Sequence, residues 1–88
     1  MSLEELRQAR HKTVGIKQTL KAVEAGQAEE VYLAADAEEW LVRPLREKCQ
    51  EREVPVIPVP SMNALGQACG IEVGAAAAAR LRQPGTQQ

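Results

Sequence analysis

The most constraining stretch of the chain is Glu30 to Ala35, in which Val31, Tyr32 and Leu33 are consecutive and apolar. A strand with one face in water alternates apolar and polar residues, so an unbroken apolar run predicts a strand buried on both faces. Such a strand needs cover above and below, and its neighbours in sequence read as helices. Ser2, with Glu5 three residues later, has capping-box spacing, and Leu3 and Leu6 begin an apolar face that predicts a helix to about Arg10. His11 to Ile16 is a short strand or extended turn. A second helix runs from Lys17 to Ala25, with Leu20, Val23 and Ala22 inward and Gly26 as its stop.

Beyond the central strand, Trp40, Leu41, Leu45 and Cys49 fall in a helical pattern that contains Pro44. Proline lacks the amide donor and its ring crowds the preceding turn, which predicts a turn over Glu38 to Val42 and a helix from Arg43 to Glu53 with Pro44 near its first turn. Val54 to Pro60 mixes Val and Ile with prolines that cannot donate to a ladder, so it is a short strand at an edge. Ser61 then caps a brief helix through Met62, Leu65 and Ala68, ended by Gly70.

Ala75 to Ala79 reads two ways. By intrinsic preference it is the best helix-forming run in the chain, yet small residues also make a strand squeezed between helices, and Gly74 weakens the helix. Sequence pattern alone leaves the two tied. Helices and strands alternate throughout, which predicts an α/β fold, a three-layer α/β/α sandwich. With 88 residues there is room for one core, so residues 1–82 are expected to be a single domain and 83–88, with Pro84 and Gly85, a disordered tail. Phe is absent and aromatics total 2%, so the core must be built from Val, Ile, Leu and Ala in closely packed layers.

The formal charge of -1 argues against a uniformly basic nucleic-acid binder, but the charge is unevenly placed. From Arg7 to Lys21 there are five basic residues and no acidic one, whereas Ala22 to Glu53 carries four basic and nine acidic residues. Such a chain can offer one basic face to an anion. Cys49 and Cys69 stand twenty apart without a C-x-x-C, and His11, the single histidine, is remote from both. The expectation is two reduced, buried thiols, no metal and no cofactor. No apolar run approaches membrane-spanning length and no signal peptide is recognisable, so a cytoplasmic protein without a membrane partner is expected. Trp40 has two readings, a platform for a base or a cap over the edge of the core. Its place on an apolar face favours the cap.

The stretch Val14-Gly15-Ile16-Lys17-Gln18-Thr19-Leu20-Lys21 carries the chemistry. A short apolar run meets a glycine and turns within two residues into a basic, polar helix. The open N–H groups of a helix start favour an anion, and Lys17 and Lys21, four apart, share one face with Gln18 beside them. The alternative is a solvated first turn with two surface lysines.

Read together, Gly15 to Lys21, Ala35-Asp36-Ala37 and Leu65 to Ala76 resemble the L-seven-Ae family of kink-turn RNA-binding ribosomal proteins, over about residues 3 to 80. The likeness is to short bacterial members, whose glycine is followed by Lys-Gln-Thr where others have Asn-Glu-Thr. The resemblance implies a four-stranded mixed sheet with the alanine run as its last strand. It implies an RNA site at Gly15, Lys17, Gln18, Thr19 and Lys21, with Lys17 at the family's asparagine position, Gln18 at its glutamate position and Lys21 at its lysine position. The glycine-led helix would enter the groove widened at a kink, beside sheared G·A pairs, and Ile71, Glu72 and Val73 would form the loop that covers extruded bases. The function so implied is a non-enzymatic, monomeric protein that recognises kink-turn RNA, ribosomal or riboswitch-like, with no small-molecule substrate. The rival is an interaction adaptor on the same fold that has lost RNA binding.

Overall fold

A computed structural model describes residues 3–82. The elements run α1 (Leu3–Gln8), β1 (Lys12–Val14), α2 (Ile16–Glu24), β2 (Ala28–Ala34), α3 (Glu39–Arg52), β3 (Val56–Val59), α4 (Met62–Ala68) and β4 (Ala77–Leu81). The four strands form one mixed sheet in the order β1-β4-β2-β3. β4 is antiparallel to both neighbours, pairing Thr13 with Ala79 on one side and Tyr32 with Ala78 on the other. β2 and β3 are parallel, with Val31 opposite Val56 and Ala34 opposite Val59.

The apolar run at Val31 to Leu33 is interior to the sheet and buried on both faces, as its lack of alternation predicts. Val31 and Leu33 join Ala22, Val23, Val42, Leu45 and Cys49 beneath α2 and α3. Tyr32 points the other way, among Leu6, Val59, Leu65 and Ala68 beneath α1 and α4. These layers make the α/β/α sandwich. β3, with Pro58 at an exposed position, lies at an edge, where a missing donor costs nothing in the ladder.

The alanine run is a strand from Ala77. Ala77 and Ala79 face the α2/α3 core, Ala78 faces the α1/α4 core, and all three are fully buried. Pairing along both edges of β4, together with helices on both faces, overrides a helix preference worth less than about 1 kcal/mol per residue. A larger side chain there would hold the helices off the sheet.

Two expectations fail around α3. The helix is continuous from Glu39 to Arg52, with no separate turn over Glu38 to Val42, and Pro44 lies inside it. Pro44 is exposed, and the buried stripe Val42, Leu45 and Cys49 holds the helix across the lost hydrogen bond. Trp40 does not cap the core: its ring is 69% exposed, and its indole N–H donates to the Glu38 carboxylate. Smaller differences occur elsewhere. Helix α1 ends at Gln8 rather than near Arg10, and Cys69 is only partly buried. The Ser2 cap and the tail at 83–88 lie outside the described residues.

Candidate nucleic-acid interface

Gly15 sets the geometry of the site. Its φ of 101° and ψ of 157° fall in a region essentially confined to glycine. Its N–H donates to the Ala77 carbonyl at 2.8 Å, which closes the end of β1 onto the start of β4, and its carbonyl accepts the Thr19 N–H at 3.1 Å to open α2. No side chain caps this helix start and no acidic residue occupies its first turn, so its partial positive charge is not offset locally.

Lys17, Gln18 and Lys21 are exposed on the first turns of α2. Thr19 is different. It is fully buried, and its hydroxyl shares a 2.8 Å hydrogen bond with that of Thr13. Its side chain therefore ties strand to helix across Gly15 and positions its neighbours instead of offering itself to a ligand.

The segment after β2 and the segment before β4 reach the same end of the sheet. Ala34 donates to the Ala76 carbonyl at 3.0 Å, and Ala35 to that of Val59 at 2.7 Å. The Asp36 carboxylate accepts the Met62 N–H at the start of α4, at 2.8 Å, while the Met62 carbonyl accepts from Ala75 at 3.0 Å. Ser61 caps the same helix through Ala64 at 3.0 Å. A chain of hydrogen bonds, backbone to backbone except at the Asp36 carboxylate, thus links the three separated sequence motifs, although they lie up to sixty residues apart.

The loop at 71–74 is seated on α4. Ile71 donates to the Gly66 carbonyl at 3.0 Å, and the space where a side chain at Gly66 would project is filled by the Val73 carbonyl. Gly66 was legible only as an unexplained glycine inside a helical pattern, a signal of close packing in general. Within the loop the two apolar residues part company. Ile71 packs against the α1/α4 core, whereas Val73 is 69% exposed and Glu72 is exposed beside it. Val73→Ser is accordingly expected to leave stability within about 0.5 kcal/mol, and Ile71→Ser to cost about 1 kcal/mol or more. Thermal melts of the two variants check this, and equal losses would mean that the loop packs as one unit.

The thiols are not chemically activated. Burial pushes the Cys49 thiol up to about 11, and burial also raises that of Cys69 against a weaker opposing pull from Lys12. Both stay protonated near neutral pH, the inert form of the group. Among the described residues no cluster of His, Cys, Asp or Glu is arranged to hold a metal ion, and no helix is long and apolar enough to cross a membrane. At the far end of the sheet, Arg80 bridges Glu29 at 2.7 Å and Glu30 at 3.3 Å, and the Tyr32 hydroxyl donates to Glu30 at 2.7 Å. That network is structural and lies away from Gly15.

The model of the ribosomal protein L7Ae/L30e/S12e/Gadd45 family matches residues 2–87. The chain belongs to this family. It is 46% identical over 82 residues to an RNA-binding protein of Geobacillus sp. (strain WCH70), covering 93% of this chain and all of the relative. It is 47% identical over 68 residues to an RNA-binding protein of Caldanaerobacter subterraneus subsp. tengcongensis, covering 77% of this chain and 83% of the relative. In three dimensions it is similar to the Giardia lamblia 15.5kD RNA binding protein, with a TM-score of 0.83 and 33% identity over 93% of this chain and 72% of that one. The L7Ae-type sandwich, with its mixed four-stranded sheet, is thus the fold of this chain as well.

Proposed function

We propose that this L7Ae-family chain is a non-enzymatic RNA-binding protein that recognises and stabilises kink-turns. The observation that carries the reading is the meeting, at one end of the sheet, of the Gly15-led helix, the Asp36 segment and the 71–74 loop, in a chain whose relatives bear the name RNA-binding protein. Lys17 and Lys21 donate to guanine edges or to adjacent phosphates, Gln18 offers both a donor and an acceptor, and Val73 covers an extruded base. Gly15 through its backbone and Thr19 through its hydroxyl act indirectly, by aiming α2.

The function is shape selection. A flexible RNA populates straight and kinked forms, and a protein that binds only the kinked form shifts the population by the difference in affinity. The protein alone performs the task, as a monomer, without cofactor or small-molecule substrate.

The test is a gel-shift titration with a kink-turn RNA and with the same RNA in which the sheared G·A pairs are replaced by Watson–Crick pairs. Tight binding to the first and at least about tenfold weaker binding to the second is the expected result, equivalent to a loss of about 1.4 kcal/mol. Equal binding to both would reduce the interaction to unspecific charge attraction. Binding to neither would favour an adaptor that has lost RNA.

A further inference from the structure

The basic run from Arg7 to Lys21 becomes one lateral side of the molecule. β1 is an edge strand, α1 precedes it in one helical layer and α2 follows it in the other. Arg7, Arg10, Lys17 and Lys21 are all exposed. On the side of β2 and β3, α3 and its ends carry Glu38, Glu39, Glu47, Glu51 and Glu53 together with Arg43, Arg46, Lys48 and Arg52, a nearly balanced set. What in sequence is a basic run is in the fold an edge of exposed cations, opposite a side on which the two signs nearly balance.

The two groups of cations also differ in how they are compensated. The ion pairs among the described residues engage Arg43, Arg46, Lys48, Arg80 and Arg82, with Glu29, Glu30, Glu39 and Glu51 as partners. None of them involves Arg7, Arg10, Lys17 or Lys21, nor Arg52 on α3, while Lys12 of the run is half-buried and donates to the Leu6 carbonyl; the acidic residues nearest in sequence, Glu5 and Glu24, bound the run at its ends. Uncompensated, exposed positive charge gathered along one edge is the electrostatic footprint of a polyanion.

We propose that this edge is a phosphate track, in which Arg7 and Arg10 hold the backbone of a helical stem that continues from the kink bound at Lys17 and Lys21. The assignment rests on the RNA reading above and extends it from the kink to its flanking helix. Geometry sets the reach. From Lys12 to Gly15 the edge rises on the order of 10 Å at strand pitch, and Lys17 and Lys21 are separated by about one helical turn. Arg10, in the turn before β1, and Arg7, on the last turn of α1, thus lie at the end of the edge away from Gly15. A kink bound at Gly15 sends one stem along this edge, where a bare phosphate strand meets cations that form no ion pair among the described residues.

The experiment uses fluorescence anisotropy over a salt series with two kink-turn RNAs. In one the flanking stem is cut back to the pairs next to the kink, and in the other it is extended by a full helical turn. Arg7→Gln/Arg10→Gln is compared with the parent and with Arg7→Lys/Arg10→Lys. On the long-stem RNA the slope of log affinity against log salt is expected to be shallower by about 2 in the glutamine variant, at roughly 0.9 per phosphate contact, while the lysine variant keeps the parental slope. On the short-stem RNA the parent and both variants should coincide. Parental slope and affinity of the glutamine variant on the long stem overturn the track, as does an equal loss on both RNAs. Tight binding of the parent to the short-stem kink-turn separates that failure from a failure of kink recognition itself. All four substituted side chains are exposed or replace exposed ones, and a circular-dichroism melt confirms that the variants are folded.

Discussion

Replacing Lys17 and Lys21 together by alanine is expected to weaken binding to a kink-turn RNA by roughly 2 to 6 kcal/mol, from about 1 to 3 kcal/mol for each base-edge or phosphate contact. Both side chains are exposed on the first turns of α2 and neither contributes to an ion pair among the described residues, so stability should change by no more than about 0.5 kcal/mol. Alanine is the better helix former of the two residue types, which acts in the same direction. The two losses need not add, because side chains one turn apart that meet the same RNA strand share a partner. Dissociation constants for the two single variants and the double variant, with a melt of each, close the cycle. Parental affinity of the double variant would remove the start of α2 from the interface.

Gly66→Ala is expected to lower stability by about 1 to 3 kcal/mol, roughly 5 to 20 °C in melting temperature for a chain of this size, and to weaken RNA binding in the fraction that remains folded. Two effects oppose each other. Alanine within α4 gains up to about 1 kcal/mol of helix preference over glycine. Against it, the new methyl group overlaps the Val73 carbonyl and lies 3.1 Å from the Val73 carbonyl carbon and 3.2 Å from the Gly74 Cα. The collision wins because the obstacle is backbone, which no change of rotamer relieves. That backbone is held on either side, by Ile71 on the Gly66 carbonyl and by Ala75 on that of Met62. Moving the loop strains those bonds and displaces Val73 from its place at the proposed interface, which is why binding suffers along with stability. Urea melts with an anisotropy titration on the same preparation test both halves. Unchanged stability would mean that the loop is free to slide.

Much of this fold was legible because its signals are local and strong. The unbroken run Val31 to Leu33 identified an interior strand, the prolines of Val54 to Pro60 an edge, and Ser61 and Gly70 the limits of α4. The layering of helices on both faces of a sheet then followed from their alternation. α3 was misjudged for an equally clear reason. A proline cost of about 3 kcal/mol is a local quantity, whereas the burial of Val42, Leu45 and Cys49 that outweighs it depends on a sheet the local pattern does not describe. Trp40 failed in the opposite sense: a helical apolar pattern cannot say which residue of the first turn overhangs the core, and this one points to solvent.

At the site, the exposure of Lys17, Gln18 and Lys21 follows from their position on the polar face of an amphipathic helix, and sequence sufficed for it. The inward turn of Thr19 did not, since it depends on Thr13 lying opposite across the Gly15 bend. Nor did the division between Ile71 and Val73, two residues apart in one loop, of which only one finds a core surface beneath it.

The sequence by itself determined the layers, the glycine that starts α2 and the asymmetry of charge, because each of these is written in residue type and spacing. The tertiary structure decided that Ala77 to Leu81 is a strand, which residue pattern alone left tied, that Gly66 is the seat of the loop and that Arg7, Arg10, Lys17 and Lys21 gather along an edge outside the ion pairs of the described residues. Those outcomes depend on pairing and collision between segments far apart in the chain, and the free energy of such contacts exceeds the local preferences that a sequence displays.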